Sequence, residues 1–173
     1  MKTLSLILTA GLVSLTSFHS ESAAPPVPPE TKVLEQFVGT WETESTAKVA
    51  EWTPKEVKAT GSIKCAWALG GRFVQGKGTD SQSGEVQSHW TYDANKKTYR
   101  MWFFNSDGVV VQWIGQWKPE SKSFLLKQYL GNGIMDTLTA RMADANTIEF
   151  TSEAKGKDGK IYFAFEGRWT RRK

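Results

Sequence analysis

The chain has 173 residues with 22 basic against 18 acidic side chains, a formal net charge of +4. A surplus of that size favours solubility and does not by itself imply a polyanionic partner. A single cysteine, Cys65, excludes an intramolecular disulfide framework, and two histidines leave little for zinc, which takes about three or four His, Cys or carboxylate ligands.

The chain opens on Lys2, an apolar stretch from Leu4 to Leu15 and the small-residue tail Ser20-Glu21-Ser22-Ala23-Ala24, the order of a secretory leader. A transmembrane anchor needs roughly 20 apolar residues, whereas this core is interrupted by Ser5, Thr9 and Ser14. Cleavage is expected after Ser22, so residues 1–22 form a signal peptide. The mature protein is then exported, periplasmic or extracellular, without a stable membrane anchor. Residues 23–29 read as a Pro-rich spacer, because each proline fixes φ and withholds a donor. Residues 30–173 match the size of one domain.

Within that domain a helix is expected only at Glu30 to Phe37, where Val33, Leu34 and Phe37 recur at helical spacing. From Gly39 onward, short alternating runs are separated by turn residues such as Asp93-Ala94-Asn95-Lys96, Asn132-Gly133 and Asp158-Gly159. That spacing predicts about ten antiparallel strands. Alternation gives an inside set: Trp41, Thr43 and Ser45; Val57, Ile63, Cys65 and Trp67; Val86, Ser88, Trp90 and Tyr92; Tyr99, Met101 and Phe103; Val111, Trp113 and Trp117; Ile148, Phe150 and Ser152; Phe163, Phe165 and Trp169. So many strands raise the problem of open edges, and closure into a barrel removes it.

Catalytic equipment is sparse. Gly71 to Gly78 follows the spacing of a phosphate-binding loop until its last place, where Gly78 stands instead of the required Ser or Thr. His89 lies on the face opposite Trp90 with no triad signature around it. The pairs Glu42/Glu44 and Glu149/Glu153 fall on the solvent face, and Cys65 reads as a small buried hydrophobe. No catalytic residue, metal site or cofactor is expected, and export argues against nucleic acid as a partner.

The segment LEQFVGTW from Leu34 to Trp41, Ala68-Leu69-Gly70-Gly71-Arg72-Phe73, Tyr92-Asp93, Lys97-Thr98-Tyr99 and the closing run Glu166 to Lys173 resemble a bacterial family, the uncharacterised domain of unknown function 1579. Gly39-Thr40-Trp41 after a short helix, with a late basic residue, is more distantly similar to the calycin barrels, the lipocalins and fatty-acid-binding proteins. The resemblance implies an all-β, up-and-down calycin-like barrel with one short N-terminal helix. It also implies that Trp41 stacks with Arg171 to close one end. The haem-binding calycin-like barrels that use a late-strand His find no counterpart here.

The reading that results is non-catalytic binding of a small apolar or amphipathic ligand in the barrel lumen. Its expected lining is Trp67, Trp90, Tyr99, Phe103 and Trp113, with Gln75 and Asn105 as polar orienting groups. The alternative is a filled barrel that serves as an interaction module or homo-oligomer through an outer face carrying Trp102 and Phe104.

Overall fold

In the computed structural model, which describes residues 25–173, the chain starts as an extended Pro-rich segment. The expected leader and its cleavage site lie outside the described residues. Pro29 occupies the first turn of a 3₁₀ helix, Pro29–Phe37, where a missing N–H costs nothing. The helix ends at Val38, which turns extended and donates its N–H to the Glu35 carbonyl. Thr31, Leu34 and Phe37 are its buried residues, one per turn as three residues per turn demand.

Ten strands follow: β1 (Gly39–Ala47), β2 (Val57–Ala68), β3 (Phe73–Asp80), β4 (Gly84–Asp93), β5 (Thr98–Asn105), β6 (Val110–Lys118), β7 (Ser123–Gly131), β8 (Ile134–Asp144), β9 (Thr147–Lys155) and β10 (Ile161–Arg171). Each pairs antiparallel with the next, and β10 returns to pair with β1, so the sheet is a closed barrel. The connections are tight turns that carry their own chemistry. Asn132 and Gly133, both at positive φ, join β7 to β8 as a two-residue turn. In the β4–β5 turn the Asp93 carboxylate accepts from the Lys96 N–H at 3.1 Å.

Residues paired across an antiparallel ladder share a face, so the register can be followed around the wall. Arg171 faces Trp41, Trp41 faces Ile63, Cys65 faces Gly76, Ser88 faces Phe103 and Met101 faces Trp113. Further round, Leu126 faces Leu138, Leu138 faces Ser152 and Ser152 faces Phe165. Every side chain that alternation assigned to the inside belongs to this one inward face. Glycine permits the tight coiling of the wall: a Cβ at Gly61 would lie 2.0 Å from the Thr79 carbonyl oxygen, and one at Gly115 as close to that of Leu125.

Gln75 does not belong to the inward face. On β3 that face is Val74, Gly76, Gly78 and Asp80, while Gln75 lies opposite His89 on the outer face. The expected lumen-orienting role for Gln75 is therefore corrected. Two of the four inward positions carry no side chain and a third is charged, so the local pattern did not show which face was which.

The helix fills one end of the barrel. Phe37 stacks on Trp90 with centroids 4.3 Å apart and an interplanar angle of 25°, and sits 5.7 Å from Phe124. Leu34, Phe37, Val74, Phe124 and Leu126 are fully buried, with Trp41, Trp90 and Ile148 at 1% exposure. Complete burial of each such side chain stabilises by about 1.5–3 kcal/mol.

Candidate ligand-binding site

At the helix-capped end, Trp41 and Arg171 meet directly across the β1–β10 ladder. The Arg171 guanidinium carbon lies 4.1 Å from the centroid of the Trp41 ring. Its nitrogens donate to three carbonyls: Val38 at 2.7 Å, Gln36 at 3.2 Å and Ala145 at 3.2 Å. The Trp41 indole N–H donates to the Phe37 carbonyl at 2.7 Å. Apart from the bond to Ala145 in the β8–β9 turn, these bonds use carbonyls that the end of the helix would otherwise leave unsatisfied. The Tyr99 hydroxyl adds a bond to the Glu30 carbonyl at 3.0 Å, pinning the start of the helix as well.

Three of the expected lumen residues belong to this sealed end. Trp90 is buried against Phe37 and Phe124, and Tyr99 against Phe124 and Tyr92. Trp67 has inward parity but sits at the lip beside the β2–β3 turn, paired with Val74, and is 36% exposed. Trp90 and Tyr99 build the floor rather than an accessible wall.

The opposite half differs. Phe103, Trp113, Phe163 and Phe165 point inward by register yet are only half-buried. Facing positions on β1 to β3 are small: Ser45, Ala47, Ala59, Gly61 and Gly78. At this end the inward face therefore mixes half-buried aromatic rings with small residues. Asn105 stands at this mouth, but its side-chain oxygen accepts from the N–H groups of Asp107 at 3.1 Å and Val109 at 3.0 Å. Its amide nitrogen donates to the Asp107 carboxylate at 3.3 Å, so Asn105 is engaged in shaping the β5–β6 turn.

One group in this half was missed by sequence reasoning. Asp136 on β8 is inward and 5% exposed, flanked by Ile134 and Leu138 on the same face. Its Oδ2 accepts from the Trp113 indole N–H at 2.7 Å and its Oδ1 from the Ser152 hydroxyl at 2.6 Å. Gln128 lies directly opposite it on β7, with a buried side-chain oxygen that has no partner among the described residues. The signal existed in the sequence: Ile134, Leu138, Ala140 and Met142 alternate, and Asp136 falls in step with them.

Outside the barrel, the Gln75 amide nitrogen is 2.8 Å from His89 Nε2, and His89 meets Phe104 edge-on at 5.9 Å. Partial burial, reinforced by the Lys77 charge, holds the imidazole below its usual pKa. Trp102 and Phe104 lie on this outer face and are half-buried. A cleft of about 380 Å³ lies beneath the Pro-rich segment, lined by Arg72, Arg100 and Trp102 among others. Several of its polar groups pair with one another: Arg100 with Asp93 at 2.7 Å, Thr91 as donor to the Arg72 carbonyl, and Arg72 as donor to that of Pro25, while Arg100 Nε is buried without a partner among the described residues. Cys65 is buried at 3% exposure, and burial pushes its thiol pKa up to about 12 against a smaller opposing effect of Arg171, so it is no nucleophile.

Solved structures of similar fold exist at low sequence identity. Rv2717c from M. tuberculosis aligns with a TM-score of 0.60 at 10% identity, covering 86% of this chain and 100% of that one. An S-type phycobiliprotein lyase, CPES from Guillardia theta, aligns with a TM-score of 0.53 at 13% identity, covering 82% of this chain and 92% of that one. Likeness at these identities concerns the barrel alone. No curated protein matches the chain. Over residues 27–171, nearly the whole barrel and its helix, the sequence fits the model of one family, and the chain belongs to it: the proteins of unknown function DUF1579.

Proposed function

We propose that the protein is a non-catalytic carrier or receptor for a small apolar or amphipathic molecule, held in the half of the barrel away from the helix. The observation that carries this reading is the contrast between the two ends. At the helix end Leu34, Phe37, Trp41, Trp90 and Phe124 are at 0–1% exposure, whereas Phe103, Trp113, Phe163 and Phe165 toward the other end face the same lumen half-buried. Keeping four aromatic rings partly wet forgoes burial of about 1 kcal/mol or more per side chain, which a bound ligand would restore. A pocket with apolar walls and a few fixed polar groups is the usual form of a small-molecule site.

Intrinsic tryptophan fluorescence, titrated with fatty acids, sterols and aromatic compounds, tests this reading. A saturable change is expected, and substituting Trp113→Phe should remove most of it. No response to any class would overturn the proposal. The reading also includes export, supported by the composition of residues 1–22. Sequencing the N-terminus of protein recovered outside the cytoplasm should then begin at Ala23, and an intact Met1 would refute it.

A further inference from the structure

Among the described residues Asp136 is the only buried acidic side chain, and stability alone does not explain it there. An apolar residue would fit the neighbours Ile134, Leu138 and Ala154, whereas a buried carboxyl group costs stability unless it is paired. No Lys, Arg or His among the described residues forms an ion pair with it. The basic side chains of its own and neighbouring strands point the other way. Lys127 pairs in register with outward Thr137, Lys155 with outward Met135, and Arg141 reaches Glu149 on the outside.

The hydrogen-bond inventory is lopsided in the same direction. Two donors, Trp113 Nε1 and Ser152 Oγ, supply one bond to each carboxylate oxygen. Each oxygen can take a second, and the Gln128 oxygen directly across the β7–β8 ladder takes none. Acceptors on neighbouring strands are therefore left in want of N–H donors, beside the half-buried Trp113. A primary ammonium carries three donors and a charge, and an indole face attracts a cation. Within a partly enclosed lumen the Coulombic attraction is stronger than in water.

We propose that Asp136, with Gln128 and Trp113, is the recognition point for the ammonium head of a cationic amphiphile whose apolar body lies along Phe103, Phe163 and Phe165. This rests on the ligand-binding reading above and names the ligand class. Trp113 is held by its bond to Asp136 and so orients the carboxylate.

Fluorescence titration of the full barrel with decylammonium, decanol and decanoate tests it, since the three share one chain and differ in the head. Decylammonium is expected to bind at least about tenfold tighter than decanol, the size of one well-made charged hydrogen bond, with decanoate weakest. Asp136→Asn should bring ammonium and alcohol to within about twofold, because the amide keeps the bond from Trp113 and loses the charge. Equal binding of ammonium and alcohol by the unmodified protein, or a preference that survives Asp136→Asn, overturns the assignment and leaves the ligand-binding reading intact. Failure of all three probes overturns the assignment, and the ligand-binding reading falls with it only if sterols and aromatic compounds also give no response. If circular dichroism shows Asp136→Asn unfolded, Gln128→Leu replaces it: a reduced ammonium preference supports the proposal and an unchanged one overturns it.

Discussion

Arg171 ties the last strand to the helix and to Trp41 through one planar group. Lysine would keep the charge over the ring and could not reach three carbonyls in different directions. Arg171→Lys should therefore lower stability by about 1–3 kcal/mol, read as a drop in urea midpoint with an unchanged slope. Two buried acids set the alkaline limit. Burial raises the Cys65 thiol from 9.0 to about 12, and burial with the nearby Tyr92 and Glu30 charges raises the Tyr99 phenol from 10.0 to about 12. Both hold their protons more tightly folded than unfolded, so their contribution is complete below about pH 9 and is lost as pH climbs toward 12. The thermal midpoint should fall across that window, and Cys65→Ala should make the fall shallower. A thiol reagent at neutral pH should label Cys65 only on unfolding.

Among the elements, the short helix matters out of proportion to its length. A nine-residue 3₁₀ segment has little stability of its own; it persists because Leu34 and Phe37 complete the floor and Arg171, Trp41 and Tyr99 bind its carbonyls. Phe37→Ala would leave a cavity between Trp90 and Phe124 and should cost about 3–5 kcal/mol, measured by equilibrium denaturation. The coiled strands impose a different demand. At Gly61 any Cβ meets backbone rather than a movable side chain, so Gly61→Ala should destabilise by more than the typical change of about 1 kcal/mol, visible in the same experiment. Strand identity and inward parity were readable from alternation because a half-buried strand has a period of two. That rule failed at β3, where Gly76 and Gly78 hold the inward positions and apolar Phe73 lies outside.

For the molecule as a whole, stability depends on closure. β1 and β10 are the first and last strands, and their pairing leaves no edge in the barrel. A chain ending before Ile161 would expose the free sides of both β1 and β9. It should aggregate, seen as early elution in size-exclusion chromatography, while the complete barrel stays soluble. The floor and the mouth are also decided at this scale. Trp90 and Phe103 have the same parity on adjacent strands, yet one is 1% exposed under the helix and the other half-buried toward the opposite end. No local property of either residue distinguishes them.

The sequence by itself determined the all-β class, the short helix, the strand number and most of the inward face, because turn chemistry and the two-residue period are local. It also carried the motifs of the family. Only the tertiary structure decided which inward residues are fully buried and which are half-buried, since that depends on where the helix seats against strands far along the chain. It alone brought Asp136 to Trp113, 23 residues earlier, and to Ser152, 16 residues later. A carboxylate on an inward parity is visible in a sequence, but its partners, and the donors it still lacks, are set by the register of a closed sheet.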